Sequence, residues 1–278
     1  MKRRFHQVDV FSAVALKGNP LAVVHAATGL GDAEMAAFAR WTNLSETTFL
    51  LPPTDPGADY LVRIWTPGGE LPFAGHPTLG SAFAWLAAGG VPKTPGTVVQ
   101  QCAVGLVRIR QDGARLAFAA PPLRRTGPLD EDMLARILSG IGVARDDVLH
   151  HQWVDNGPGW CAVMLRSAEQ VLAVRGQSEP LRGIKLGLVG AHPPGSECAF
   201  ELRALYHDTD QLTEDPVTGS LNASVAQWLI GAGLAPSAYI ASQGTLLQRA
   251  GRVHVQKIGE DVWIGGDVVA VVEGSVAL

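Results

Sequence analysis

The feature that most constrains the fold of this chain is an internal repeat. The segments Glu70–Gly75 and Glu214–Gly219 share the pattern Glu-x-Pro-x-x-Gly, at an offset of 144 residues in a chain of 278. Each segment runs into an Ala-rich stretch typical of a helix, and these stretches end near Gly89 and Gly233. A period this long exceeds the roughly 20–50 residues of solenoid repeats. The repeat therefore predicts two similar domains related by a pseudo-two-fold axis, with the functional site expected between them.

Further matches extend the repeat beyond the two helices. We align Gly96–Gln100 with Gly244–Gln248 and Gly105–Ile109 with Gly251–Val255. Alternating segments such as Tyr60–Trp65 predict strands, but strands and helices do not alternate strictly, which favours an α+β fold with a mixed or antiparallel sheet.

Helix starts and a linker complete the predicted organisation. Asp32 and Asp130 are predicted N-caps of two further helices. The Pro-rich stretch 121–128 is interpreted as a linker between domains at 1–122 and 129–278, with about the last 12 residues available to pack on the N-terminal domain.

Composition excludes several classes of protein. Charged residues make up 17% of the chain and hydrophobic residues 47%, so a compact folded protein is expected rather than a disordered one. A net charge of −4 without a long basic run argues against nucleic acid as a partner. The chain has no apolar stretch of the roughly 20 residues that a membrane span requires. Three widely spaced cysteines predict reduced thiols rather than disulfides or a zinc site, and the expected location is the cytoplasm.

The two repeated turns are candidate anion-binding positions. Gly75-His76 and Gly219-Ser220 each stand at the start of a predicted helix. A helix start presents unpaired N–H groups and the positive end of the helix dipole, which favours a carboxylate. The plain alternative is that Ser220 only caps its helix.

Two carboxylates are candidates for acid–base chemistry. Glu46 begins a β-prone run in which alternation places it on one face with Thr48 and Leu50. A carboxyl on a partly apolar face can serve as a proton shuttle, although a solvated strand glutamate fits the same pattern. Asp215 precedes Pro216, where an aspartate often serves a turn. No serine-hydrolase, P-loop or zinc-protease motif is present, and we expect no metal site.

Four ordered motifs together resemble the PhzF-like isomerases of phenazine biosynthesis. They comprise Phe5–Phe11 with Gly18–Val24, Asn43–Thr47, Pro72–Thr78 and Glu214–Ser220. The resemblance spans nearly the whole chain and implies a diaminopimelate-epimerase-like fold, in which each of two domains wraps a sheet around a central helix. It also implies a homodimer.

The resemblance further implies roles for individual residues. Glu46 is expected to be the general acid/base, with His76, Asp215 and Ser220 holding the substrate and assisting proton movement. Gly75 and Gly219 would offer backbone N–H groups to the substrate. The epimerase relatives carry two cysteines at the corresponding loops, whereas this chain has His76 and Ser220 there, which disfavours a two-thiol racemase.

The expected function is that of an isomerase without a cofactor, which moves a proton within a small carboxylated substrate. An epimerase or racemase acting on an amino or hydroxy acid is the alternative among enzymes. A non-catalytic protein that retains the pocket and binds a small molecule is the alternative of another class.

Overall fold

The computed structural model describes residues 1–208 and 210–278, which fold into two compact units. Unit 1 comprises Met1–Ala119 and Gly265–Leu278, and unit 2 comprises Ala120–Ile264. The C-terminal segment thus belongs to the same unit as the N-terminal half of the chain. Each unit contains strands from a mixed sheet and one largely buried helix of 13 residues.

Strands outnumber helices along the chain. The strands are β1 (Lys2–Val10), β2 (Asn19–Val24), β3 (Glu46–Leu51), β4 (Tyr60–Thr66), β5 (Gly69–Leu71), β6 (Thr97–Cys102), β7 (Gly105–Asp112), β8 (Arg115–Ala119), β9 (Val148–Trp153), β10 (Trp160–Leu165), β11 (Lys185–Ala191), β12 (Phe200–Asp208), β13 (Gln211–Asp215), β14 (Ala238–Gln243), β15 (Gly251–Ile258), β16 (Asp261–Gly266) and β17 (Val268–Ala277). The helices are α1 (Asp32–Thr42), α2 (Gly75–Ala87), α3 (Glu131–Ile141), α4 (Ala168–Ala173), α5 (Ser178–Leu181) and α6 (Gly219–Gly231), with one-turn 3₁₀ helices at Arg145–Asp147 and Thr245–Leu247.

The sheet of unit 1 wraps around α2. Its strand β1 pairs antiparallel with both β17 and β2, β2 runs parallel to β3, and β3 pairs antiparallel with β4. The order continues through the parallel β4–β6 pair to the antiparallel strands β7 and β8. Helix α2 contacts β1, β2, β3, β6, β8 and β17, and nine of its residues are buried. A helix that is apolar all round belongs in a core, and the predicted sheet around a central helix is confirmed.

Close packing of α2 depends on a small residue. A Cβ atom built on Gly80 would lie 2.6 Å from Cδ2 of Leu21 and 3.0 Å from side-chain carbons of Val8 and Val10. Because such distances are too short for carbon atoms, only glycine lets the helix approach β1 and β2 this closely.

Unit 2 repeats the strand order of unit 1. Strand β9 pairs antiparallel with β10, β10 runs parallel to β11, and β11 pairs antiparallel with β12. The parallel β12–β14 pair and the antiparallel β14–β15 pair follow. Nine residues of α6 are buried, as in α2. The predicted pair of similar α+β domains is therefore confirmed at the level of topology.

One part of the predicted repeat is wrong. Thr97–Cys102 forms strand β6, whereas Thr245–Leu247, which we aligned with it, forms a 3₁₀ turn. The strand equivalent to β6 is β14, since β6 runs parallel to β4 and β14 runs parallel to β12, which is the counterpart of β4 in unit 2. The alignment rested on a short Gly-Thr match in the sequence. The place of a strand in a sheet, however, is decided by the strands to which it is hydrogen-bonded.

The predicted helix caps had different outcomes. Asp130 is the N-cap of α3 and accepts a hydrogen bond from the N–H of Met133 at 2.8 Å, as predicted. Asp32 is wrong as an N-cap, because α1 begins at Asp32 and Gly31 is the N-cap residue. The side chain of Glu34 accepts the Gly31 N–H at 2.9 Å, which is the bond that the N3 residue of a capping box makes to the N-cap residue.

The expected state of the cysteines is confirmed. Cys102, Cys161 and Cys198 are free thiols, and all three are buried. Within the described parts of the chain, no helix combines the length and apolar character needed to span a membrane.

Candidate active site

Glu46 and His76 meet in unit 1. Glu46 is the first residue of β3, and His76 is the second residue of α2. Oε2 of Glu46 lies 3.3 Å from Nε2 of His76, and their side chains are 14% and 5% exposed. Further along the same face of β3, the Thr48 hydroxyl accepts a hydrogen bond from Ser81 of α2 at 2.9 Å. The alternation predicted for β3 therefore directs Glu46 and Thr48 towards the central helix.

Asn19 contacts the other ring nitrogen of His76. The distance from Nδ2 of Asn19 to Nδ1 of His76 is 3.3 Å, and both side chains are buried. An amide nitrogen can only donate, so with the amide in this orientation Nδ1 accepts and the ring proton lies on Nε2. The proton-bearing nitrogen of His76 then faces the carboxylate of Glu46.

Burial keeps His76 neutral. Removal from water disfavours the imidazolium form and lowers the pKa of His76 to about 3. Although Glu46 lies close enough to favour a charged histidine, desolvation is the dominant effect for a side chain buried this deeply. Among the described residues, no hydrogen bond with acceptable angles reaches Nε2 of His76. The N–H at Nε2 of His76 is buried beside the Glu46 carboxylate and makes no such hydrogen bond to a described residue. It is therefore available to donate to a bound molecule.

The starts of α2 and α6 differ from those of the other long helices. No side chain caps either start, and neither helix has an acidic residue in its first turn. By contrast, α3 has a capping aspartate and α1 has acidic residues in its first turn. The first-turn N–H groups at Gly75 and Gly219 have no partner within their own helices. These two helix starts therefore retain the capacity to bind an anion.

Asp215 and Ser220 flank the start of α6 in unit 2. Asp215 is the last residue of β13, and its Oδ2 accepts a hydrogen bond from the hydroxyl of Thr218 at 2.5 Å. Ser220 is the second residue of α6, which is the position that His76 occupies in α2. Ser220 is therefore not the N-cap, a place taken by Thr218. The alternative that Ser220 merely caps its helix is wrong.

Two partners of Ser220 come from the preceding part of unit 2. The indole N–H of Trp160 donates to Oγ of Ser220 at 3.0 Å, and the side-chain amide of Asn156 donates to its carbonyl oxygen at 2.9 Å. Within the described residues, the buried Oδ1 of Asn156 has no hydrogen-bond partner. Like Nε2 of His76, this oxygen is a buried polar atom next to a motif residue, and a bound molecule could form a hydrogen bond with it.

Sequence reasoning did not assign Asn19, Asn156, Trp160 or Thr218 to the site. Asn19 and Thr218 lie inside the four motifs, and this position was the sequence signal that could have assigned them to the site. Asn156 and Trp160 lie outside every motif, and their approach to Ser220 comes only from the fold of unit 2.

The titratable groups of the site do not form a metal-binding cluster. Among the residues that the structure describes, no three His, Cys, Asp or Glu side chains are grouped so as to hold a metal ion. Burial raises the pKa values of Cys102, Cys161 and Cys198, so these thiols are poor nucleophiles. The titratable side chains at the motifs are instead carboxylates and one neutral histidine.

Comparisons with known proteins agree with these motifs. The family model described as "Phenazine biosynthesis-like protein" matches residues 8–274. The chain belongs to this family. It is 32% identical to antisense-enhancing sequence 1 of Schizosaccharomyces pombe, over 97% of this chain and 94% of that protein. It is 38% identical to a trans-2,3-dihydro-3-hydroxyanthranilate isomerase of Pseudomonas fluorescens, over 60% of this chain and 59% of that protein.

The fold is shared with solved structures of the same family. A PhzF-family protein of Enterococcus faecalis superposes with a TM-score of 0.82 over 100% of both chains, at 22% identity. The predicted family and its epimerase-like fold are thus confirmed. Relatives named as isomerases also confirm the predicted enzyme class, so the chain is a PhzF-like isomerase.

Proposed function

We propose that this protein is an isomerase that works without a cofactor and moves a proton within a small carboxylated substrate. The observation that carries the proposal is the pair of Glu46 and His76, 3.3 Å apart at the edge of the central helix of unit 1. A carboxylate with limited exposure to water is suited to take a proton from carbon and to return it. The low pKa of His76, about 3, leaves the ring as a neutral hydrogen-bond donor rather than a proton source.

The proton step balances within the substrate. Glu46 removes a proton from a C–H bond, and the electron pair of that bond stays in the substrate, delocalised towards an adjacent unsaturated group. The carboxyl group then returns the proton to a different carbon, which shifts a double bond. The N–H of His76 can donate to the atom on which negative charge develops, since its other nitrogen is already bound to Asn19.

The substrate carboxylate is assigned to the uncapped helix starts. Backbone N–H groups at Gly75 and Gly219 point out of the first turns of α2 and α6, where the helix dipole favours negative charge. In this proposal Asp215 and Ser220 bind polar groups of the substrate. Their support is the match of both residues to the family motif and the hydrogen bonds that fix them in place.

A relative suggests the first compound to test. The isomerase of Pseudomonas fluorescens is named for trans-2,3-dihydro-3-hydroxyanthranilate, a small ring that carries a carboxylate, an amino group and a hydroxyl group. This compound fits the predicted substrate class, and we use it as the probe.

Proton exchange with solvent tests the proposal directly. Incubation of the protein with the probe in D₂O should place deuterium on carbon, detected by mass spectrometry and NMR. Glu46→Gln should lower turnover by roughly 10²- to 10⁴-fold and change the dissociation constant of the probe little, because the amide keeps the shape but cannot carry the proton. Unchanged turnover in this variant would contradict the assignment of Glu46.

The same experiment separates the alternatives. Deuterium at a stereocentre whose configuration inverts, without a shifted double bond, would favour an epimerase. Binding of the probe without any exchange at carbon would favour a binding protein. By family resemblance we also propose a homodimer, for which sedimentation equilibrium should give twice the mass of one chain.

A further inference from the structure

A buried glutamine and a threonine lie next to Asp215 at the start of α6. Gln243 ends strand β14 and is 0% exposed, and Thr218 is the N-cap residue of α6. Neither side chain has a part in the proton step assigned to Glu46. Their hydrogen bonds nevertheless determine which hydrogen bond the Asp215 carboxylate receives.

The orientation of the Gln243 amide is fixed by its neighbours. Its Oε1 accepts the backbone N–H of Thr218 at 3.0 Å and the side-chain N–H of Asn222 at 2.8 Å. Because a backbone N–H can only donate, the atom that faces it must be the amide oxygen. The amide nitrogen of Gln243 must therefore point the other way.

That nitrogen decides the direction of the threonine hydroxyl. Nε2 of Gln243 donates to Oγ1 of Thr218 at 2.9 Å and to the carbonyl oxygen of Asp215 at 3.1 Å. With its oxygen already accepting, Thr218 directs its own proton to Oδ2 of Asp215, 2.5 Å away. The Asp215 carboxylate thus accepts a hydrogen bond whose direction is set by Gln243.

Unit 1 also contains a buried Gln–Thr pair, but it lies at different positions and its hydrogen bonds end differently. Nε2 of Gln100 donates to Oγ1 of Thr78 at 3.0 Å, but Thr78 donates to the backbone carbonyl of Ala74 at 2.9 Å. Thr78 is the fourth residue of α2, whereas Thr218 is the N-cap residue of α6, a place that Ala74 takes in α2. Of these two pairs, only the one in unit 2 has a threonine that donates to a carboxylate.

We propose that Thr218 and Gln243 are positioning residues that hold Asp215 as a hydrogen-bond acceptor, so that Asp215 binds a donor group of the substrate and does not carry the transferred proton. This inference rests on the proposed function and extends it in two ways. It leaves the proton step to Glu46 alone, and it requires the substrate to have an amino or hydroxyl group in addition to its carboxylate.

Variants at Thr218 can test this without unfolding the helix. The Thr218 side chain makes no capping bond to the first turn of α6, so Thr218→Val keeps the shape and removes only the hydroxyl. Thr218→Ser restores the hydroxyl and serves as the conservative rescue. Ser224→Ala is the matched control, because it removes a buried hydroxyl from the same helix that donates to the Leu221 carbonyl.

The first measurement needs no substrate. In ¹⁵N-labelled protein, both side-chain amide protons of Gln243 should exchange slowly with solvent, and in Thr218→Val one of them should exchange much faster. Thr218→Ser and Ser224→Ala should keep the pattern of the unchanged protein. Fast exchange of both protons in the unchanged protein would overturn the proposed hydrogen-bond chain.

The second measurement uses trans-2,3-dihydro-3-hydroxyanthranilate as the probe. A hydrogen bond to a charged group is lost in Thr218→Val, so we expect kcat/KM to fall roughly ten- to a hundredfold, with recovery in Thr218→Ser and no change in Ser224→Ala. Equal activity of Thr218→Val and the unchanged protein would overturn the positioning role. If the unchanged protein fails to convert the probe, the proposed function fails for that compound, while the exchange measurement still decides the hydrogen-bond chain.

Discussion

His76 illustrates how burial can define the role of a histidine. A histidine beside a carboxylate is often a charged partner, but removal from water here lowers its pKa to about 3. The ring is therefore neutral at physiological pH, and its contact with Asn19 places the remaining proton on the nitrogen that faces Glu46. A charged histidine would form an ion pair with Glu46, whereas the neutral ring can only donate a hydrogen bond from Nε2.

The low pKa of His76 predicts a dependence of stability on pH. An unfolded histidine has a pKa near 6.5, so between pH 6.5 and about 3 the unfolded chain binds a proton that folded His76 does not bind. Stability contributed by this site is therefore complete above pH 6.5 and falls as the pH is lowered. In His76→Gln the decrease should be shallower, by up to about 1.4 kcal/mol per pH unit. Urea unfolding of both proteins at pH 4.5, 5.5 and 7.5 measures the difference.

His25 provides the comparison for this measurement. Burial and the neighbouring His6 lower the pKa of His25 to about 4, so His25 acts in the same direction and should leave a residual slope in His76→Gln. Identical slopes in the two proteins would show that folded His76 accepts a proton in this range.

The central helices are the elements on which the proposed binding of an anion depends. Both α2 and α6 are 13 residues long, start with glycine and lack a capping side chain. In α3 and α4 a side chain accepts a first-turn N–H, namely that of Asp130 from Met133 and that of Ser167 from Gln170. Among the α-helices that the structure describes, only α2 and α6 lack both a capping side chain and an acidic residue in the first turn, since α1 and α5 have no side-chain cap but carry first-turn acidic residues.

A pair of glycine substitutions in α6 tests this property. Gly219→Ala places a methyl group beside the first-turn N–H groups, and we expect the dissociation constant of the probe to rise roughly three- to thirtyfold. Gly231→Ala lies at the other end of the helix, where an added Cβ meets nothing within 4 Å. It should leave binding unchanged and raise the free energy of unfolding by about 0.5–1 kcal/mol. Titration calorimetry with the probe would contradict the proposal if both variants bound equally well.

At the scale of the whole molecule, the chain ends complete unit 1. Strand β17 pairs with β1 from Lys2 to Val10, and the N-terminal amine donates to the carbonyl oxygen of Leu278 at 2.6 Å. The N-terminal half of the chain therefore lacks one strand of its own sheet. A fragment cut after residue 119 would expose an entire edge of β1.

A circular permutation tests this completion. Joining residue 278 to residue 1 through a short Gly/Ser linker, with new ends in the exposed turn between 259 and 260, makes unit 1 continuous in sequence and leaves strand β16 uncut. We expect the permuted protein to fold with nearly the Tm of the original, because the joined ends already contact each other. Circular dichroism during heating measures this outcome, and a loss of cooperative unfolding would contradict it.

The same design yields unit 1 alone, as residues 265–278, the linker and residues 1–119. This fragment should fold better than residues 1–119 without the added strand. It contains Glu46 and His76 but lacks Asp215 and Ser220, and we expect it not to convert the probe. Conversion by the fragment would show that Asp215 and Ser220 are dispensable.

The sequence by itself determined the duplication, the family and the chemistry of the motifs. Each of the two Glu-x-Pro-x-x-Gly turns, with the small-residue helix that follows it, is formed by residues that are consecutive in the sequence, so the pattern can be recognised from the sequence alone. The position of Glu46 on the face of β3 with Thr48 also followed from the two-residue period of a strand. These features depend on neighbours in sequence, which a single chain displays.

The tertiary structure decided the partners of those motifs. Asn156 and Trp160 reach Ser220 from more than fifty residues away, and Gln243 at the end of β14 reaches Thr218 from 25 residues away. The equivalence of β6 with β14, which the letter-by-letter alignment missed, likewise depends on sheet neighbours. Burial, which makes His76 neutral, arises only when distant strands close around α2. Contacts between residues distant in sequence leave no periodic signal in one sequence, because each depends on how two separate elements pack.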